Sequence, residues 1–394
     1  MLVTRRHFFY GSLAAASAFA AKKKAAPVRP SVLILMVDEL PAWILGCYGN
    51  TEIHTPNLDR LAQTGTRFQN HFVTIPSPGP SRATILTGRT PMQLGASGEI
   101  SSADVPLDKI LGGLGYGSHA SSSAEDATGF LDQQSAGKPF LLTVSYSSLQ
   151  PPYDVPRKYT DLCANLKFDT YLADEPAPNA RKEKDLLKDR VANLRKVAAA
   201  VAAIDDSIGS ILAKVSQRQL VDTTIVILTG TCGACYGRHG LWDSADGSDP
   251  VNMFDDVVRT PLIWSWPGHV PAQGNPVAMV SAYDLVPTLC DITDTEAPNR
   301  NLCGRSYQLI VTGKPLPKKQ RWRTTVFAHY QDTDLAREER YKLVLRNGGK
   351  GPNELYDMVA DPNEKANQYD NDQYANNRTS LGTDLNSWKA KYSG

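Results

Sequence analysis

Ser31 to Val37 reads SVLILMV, an apolar run that stops abruptly at Asp38-Glu39. A run this short, without polar alternation, fits a strand buried on both faces that delivers acidic side chains at its C-terminal edge. Lys138 to Tyr146 (KPFLLTVSY) and Thr223 to Leu228 (TTIVIL) have the same character, and Pro261 to Trp264 predicts a fourth strand. Between these runs the period changes. Thr55-Pro56 followed by Leu58 and Leu61 predicts a helix with Thr55 as cap, Pro56 at its first position and Gly65 as its stop. Val197, Val201, Ile204, Ile208, Ile211, Leu212 and Val215 recur at helical spacing and predict an amphipathic helix ending near Gln217. Strands alternating with helices predict an α/β fold, a mostly parallel mixed sheet sandwiched by helices. Sites in such sheets form at the carboxyl ends of strands. That singles out Asp38-Glu39, the segment after Tyr146 and the segment after Leu228.

Beyond about residue 300 the pattern shortens to strands at Thr324 to His329 and Tyr341 to Arg346, then a polar helix. Residues 301–394 are therefore expected to form a smaller α+β subdomain on a main domain of 27–300. Residues 1–26 differ from both. Thr4-Arg5-Arg6-His7-Phe8-Phe9 has a twin-arginine pattern, Gly11 to Ala21 is an alanine-rich apolar run, and Ala18-Phe19-Ala20 offers a small-x-small cleavage site. Roughly a dozen weakly apolar residues fall short of the about 20 that span a bilayer. The expectation is an export signal, a periplasmic or secreted address and no stable membrane span after cleavage.

Hydrophobic residues at 41% and charged residues at 21% suit a globular domain. A formal net charge of +1 argues against nucleic acid as a partner. Six cysteines are too few to staple 394 residues, so the core must hold the fold. Cys232 and Cys235, and Cys290 and Cys303, stand near enough in sequence to pair, but spacing does not fix connectivity. Cys232-Gly233-Ala234-Cys235 leaves a redox role open beside that of a small disulfide or two buried thiols. Zinc would need two further ligands.

Six blocks in chain order carry a resemblance. They are Asp38-Glu39 with Gly46-Cys47-Tyr48-Gly49; Thr55 to Ala62 with Gly65 and Phe68; and Pro80-Ser81-Arg82-Ala83 with Leu86-Thr87-Gly88-Arg89. Ala199 to Ile211, Tyr283 to Leu289, and Glu354-Leu355-Tyr356-Asp357 with Asp361-Pro362-Asn363-Glu364 and Asn367 complete the set. The order resembles that of the sulfatases, in the alkaline-phosphatase-like superfamily. The resemblance implies hydrolysis of sulfate esters by a formylglycine nucleophile made from Cys or Ser, with a bound calcium ion and Lys and His side chains neutralising the sulfate. It also implies an anionic or sulfated small molecule or glycan as ligand.

The chain departs from that pattern where the chemistry lies. The resemblance puts the nucleophile at Pro78, which has no nucleophilic atom, and Ser77 is the only hydroxyl beside it. Thr231 and Cys232 stand where a second pair of metal ligands belongs. Gln150 replaces a sulfate-binding His, the segment Tyr116 to Glu125 is Ser-rich where a Gly-Lys-Trp-His motif belongs, and Asp243 to Phe254 holds no Lys. Asp38, Glu39, Arg82 and Arg89 remain. Asp38 and Glu39 then read as vestigial metal ligands at a solvated strand end. Arg82 reads as an anion-binding group at a helix N-terminus or as a structural bridge. No cofactor is expected. The expectation is a catalytically degenerate member that keeps its cleft, with Gln150 and Arg82 as binding residues. Against it stand an unorthodox enzyme using Ser77, Asp38 and Arg82, and the redox reading of Cys232/Cys235.

Overall fold

The apolar run forms strand β1 (Ser31–Val37), and all seven residues are buried, because β1 lies in the middle of a six-stranded sheet. In this computed structural model the described residues are 29–95, 98–135, 137–147, 149–171, 174–181, 184–298 and 301–393. The expected export signal in 1–26 lies outside them. Strands β2 (Thr66–Arg67), β3 (Asn70–Phe72), β4 (Gly117–Ser121) and β5 (Phe140–Tyr146) follow. Then come β6 (Thr224–Gly230), β7 (Leu262–Ser265) and β8 (Met279–Ser281). The main sheet has the order β2-β7-β6-β1-β5-β4. Strands β4, β5, β1 and β6 run parallel, and β7 and β2 complete the sheet through antiparallel pairings. Val37 pairs with Tyr146 on one side and with Gly230 on the other, so three strands end level.

The long helix is Arg190–Gln217, and its apolar stripe packs in the same core cluster as the inward residues of β1, β5 and β6. Helix α1 (Pro56–Gln63) starts on Pro56 with Thr55 in the cap position, as expected, but the Thr55 side chain makes no capping bond. The Thr55 hydroxyl instead accepts the Gly46 N–H at 2.9 Å. The first-turn N–H groups of Asn57 and Leu58 are taken by the Asp205 carboxylate at 3.1 and 2.9 Å, delivered by the long helix. A cap supplied from another element leaves no local sequence trace. Strand β4 was also invisible to the pattern, since as a polar edge strand it has no apolar face to display.

A four-stranded antiparallel sheet closes the chain: β9 (Val326–Tyr330), β10 (Thr333–Arg337), β11 (Tyr341–Arg346) and β12 (Glu354–Asp357), in the order β12-β11-β10-β9. The final helix Ala375–Tyr392 buries Leu381, Leu385 and Trp388 against it. The C-terminal sequence block locks this sheet to the main domain. Lys342, fully buried on β11, lies 2.5 Å from Glu364 and 3.0 Å from Asp255, and Glu364 also accepts the Asp255 N–H at 2.7 Å.

His71 on β3 is buried, with Nδ1 3.0 Å from the Thr260 hydroxyl, and burial pulls its pKa down to about 4. Between about pH 6.5 and about 4 the unfolded chain binds the proton and the folded chain does not, so stability falls as pH falls through that window. The loss amounts to about 3 kcal/mol by pH 4. His71→Gln is expected to flatten this acid limb in urea-unfolding midpoints measured from pH 7 to 4. An unchanged limb would exclude His71 as its source.

Candidate functional site

The level ends of β1, β5 and β6 bring Asp38, Gln150 and Thr231 together, as the parallel pairing requires. Backbone bonds continue past the strands: Asp38 N–H donates to Tyr146 at 2.8 Å and Thr231 N–H to Val37 at 3.0 Å. Helix α2 (Pro78–Thr87) approaches the same edge and contributes Arg82. Arg82 Nη1 lies 2.6 and 2.7 Å from the two Asp38 carboxylate oxygens, and the Thr231 hydroxyl donates to Asp38 Oδ1 at 2.7 Å. Asp38 and Glu39 are each only 3% exposed. This corrects the expectation of a solvated strand end. The carboxylates are buried and matched to donors from the protein.

Glu39 sits in left-handed backbone at φ 56°. Its carboxylate accepts the Gln150 amide at 2.8 Å, and the Tyr236 hydroxyl donates to its carbonyl at 2.8 Å. Gln150 thus has a protein partner in the position where the resemblance implies a sulfate ligand. Arg89, the other remaining arginine, is tied to Asp104 at 2.9 Å.

Calcium takes roughly six to eight oxygen ligands, and these residues do not fit it. Both Asp38 oxygens carry Arg82, Glu39 holds the Gln150 amide, and the neighbouring strand end contributes a hydroxyl donor and a thiol. Among the described residues no group of three or more His, Cys, Asp or Glu is arranged to hold a metal ion.

Ser77 and Pro78 stand at the start of α2, with Ser77 in the cap position and Pro78 as the first helical residue. The Ser77 side chain makes no cap bond; it lies beside the hydroxyl of Tyr330, which donates to Asp246 at 2.9 Å. A helix start attracts anions through open N–H groups. Here Pro78 and Pro80 have none, and Ser81 N–H is spent on Ser77 at 3.0 Å. Gly79 alone among the first four positions has a backbone donor to offer, so α2 adds little attraction beside Arg82. Tyr330 and Asp246 had no sequence signal. They reach the site from β9 and from the loop after β6, and only folding brings them to Ser77.

Cys232 and Cys235 are thiols, each fully buried, and burial pushes both well above the usual thiol range. Thiolate chemistry needs the opposite, an exposed sulfur with a depressed pKa. Cys290 and Cys303 are thiols as well. His239 does not join Cys232 and Cys235: it stacks on Phe254 at 3.7 Å and lies 3.1 Å from Asp256.

The Sulfatase family model matches residues 30–125 and 115–295, and the model described as N-sulphoglucosamine sulphohydrolase, C-terminal, matches 237–391. Among curated proteins, an N-acetylglucosamine-6-O-sulfatase of Bacteroides thetaiotaomicron is 23% identical, over 90% of this chain and 85% of its own length. Human arylsulfatase A is 25% identical over 72% of this chain and 68% of its own. A solved structure in complex with its substrate D-glucosamine-2-N,6-O-disulfate superposes with a TM-score of 0.79 at 20% identity, covering 92% of this chain and 98% of that one. The phosphonate monoester hydrolase of Agrobacterium radiobacter gives 0.78 at 19% identity, over 92% and 96%.

Proposed function

The chain belongs to the sulfatase family, and from that membership we propose that it is a catalytically degenerate member, binding a ligand in the cleft without hydrolysing sulfate esters. Pro78 carries this reading. The resemblance puts the nucleophile at this residue, the first of α2, and a proline ring there can neither attack nor be converted to formylglycine. The capture of Asp38 by Arg82 supports it, because it removes the carboxylate that a metal would need. The ligand class comes from two of these similar proteins, whose names point to sulfated sugars. Turnover assays on an aryl sulfate and on N-acetylglucosamine 6-sulfate test the reading.

A second reading has one observation in its favour. The Ser77–Tyr330–Asp246 chain could take a proton from the Ser77 hydroxyl, as an unorthodox enzyme using Ser77, Asp38 and Arg82 would require. The degenerate reading is preferred because the carboxylates at the strand edge are already paired with Arg82 and Gln150, and the start of α2 offers few N–H donors. The redox reading of Cys232/Cys235 is disfavoured by the burial of both sulfurs.

Export belongs to the same proposal, with residues 1–26 as a twin-arginine signal and the periplasm or exterior as the address. Among the described residues no helix is long and apolar enough to cross a membrane. Replacing Arg5 and Arg6 by Lys is expected to leave a tagged full chain in the cytoplasmic fraction. Unimpaired export of that variant would refute the twin-arginine route.

A further inference from the structure

A cavity of about 410 Å³ opens beside the N-terminal end of α2, a volume within the roughly 300–1,000 Å³ common for small-molecule sites. One wall is apolar, with Ile75, Pro80 and Met92. The facing wall is the tip of the β9–β10 hairpin, His329 to Asp332. Tyr330 joins this wall to the start of α2, since its hydroxyl donates to Asp246 and lies beside Ser77. With that hydroxyl engaged, Tyr330 offers the cavity mainly its ring.

The hydrogen-bonding bias of the hairpin wall indicates what it can hold. His329 Nδ1 is 2.7 Å from Asp334 Oδ1, so that side of the ring is spent on a carboxylate. Gln331 spends its amide nitrogen on Asp246 at 3.1 Å, leaving its carbonyl oxygen. Asp332 carries an exposed carboxylate with no bonded partner among the described residues. The Gln331 carbonyl and the Asp332 carboxylate are thus the wall's open acceptors, and the carboxylate adds a negative charge. No Lys or Arg appears among the described residues lining the cavity. Arg82 is turned to Asp38, and Lys389 is spent on Asp334 at 2.6 Å.

A sulfate group presents only acceptors and a negative charge. Sugar hydroxyls present donors, and the C–H face of a sugar ring suits an apolar wall opposite an aromatic one. We propose that this cavity binds an unsulfated sugar ring, so that the cleft recognises a glycan through a residue without sulfate. This rests on the reading of the cleft as a ligand-binding site and refines its ligand. Like charges about 4 Å apart repel enough, even in water, to weaken binding roughly fivefold. The carboxylate of Asp332 alone therefore sets the direction of selectivity.

The test titrates the full chain with N-acetylglucosamine and with N-acetylglucosamine 6-sulfate, by ligand-observed NMR or calorimetry. The neutral sugar is expected to bind at least about fivefold more tightly than the sulfated one. Asp332→Asn, an exposed change that leaves the core alone, should shrink that ratio toward one by removing charge and adding a donor. Met92→Trp should fill the cavity and abolish binding of both sugars with the melting temperature retained. Tighter binding of the sulfated sugar, or a ratio indifferent to Asp332→Asn, overturns the proposal and leaves the degenerate reading standing. Binding of neither sugar overturns both the proposal and the saccharide reading of the cleft. Release of sulfate from the sulfated sugar overturns the degenerate reading itself, whichever sugar binds better.

Discussion

Purified protein given an aryl sulfate is expected to show no turnover above a catalyst-free control. Pro78→Cys, supplied with a formylglycine-generating enzyme, is expected to remain inactive as well. A nucleophile restored at that position would face a strand edge where Asp38 is held by Arg82 and Glu39 by Gln150, with Thr231 and Cys232 beside them. Loss of one preorganised charge partner typically costs about 10²–10³ in rate. Several losses at one site do not simply multiply, but they leave nothing for a single substitution to rescue. Sulfate release by the wild-type protein would be informative if Ser77→Ala abolished it at an unchanged melting temperature and Tyr330→Phe slowed it. The reaction would then belong to Ser77, with its proton passing along Tyr330 toward Asp246, and the degenerate reading would be lost.

Removal of Arg82 is expected to cost stability. Asp38 is 3% exposed, and without the guanidinium only Thr231, among the described residues, would still donate to its carboxylate. Breaking a buried pair on one side typically costs about 3–5 kcal/mol. Arg82 has a third of its side chain in solvent, so Arg82→Ala is expected to cost about 2–4 kcal/mol. In a chain this large that is a fall of roughly 2–5 °C in melting temperature. The double variant Asp38→Asn/Arg82→Met, in which charge leaves both sides, should recover most of the loss. Calcium should do little to the wild-type protein. An ion held only by the folded state adds about 2.7 kcal/mol at a hundredfold excess over its dissociation constant, and the residues that could hold it are already paired. A rise of several degrees in millimolar calcium, abolished by Asp38→Ala, would show that the strand edge still takes the metal.

The chain itself determined the architecture. SVLILMV fitted a buried strand, the spacing from Val197 to Val215 fitted a helix, and their alternation placed Asp38 at a parallel sheet's carboxyl edge. Periodicity is a local property, set by which side chains must leave water, and it survives without knowledge of neighbours. The departures proposed at Pro78, Gln150 and Thr231 rest on the sequence too, because a resemblance in block order implies a role for each position. What no local pattern carried was pairing. Asp205 capping α1, Arg82 gripping Asp38, Gln150 holding Glu39, and Tyr330 with Asp246 reaching Ser77 all join distant segments. A hydrogen bond depends on where two atoms end up, to within a few tenths of an ångström, and hydrophobic spacing encodes nothing of that kind. Whether the acidic strand end was a solvated remnant or a buried, matched charge was therefore decided only by the fold, which brought α2 across the ends of β1, β5 and β6.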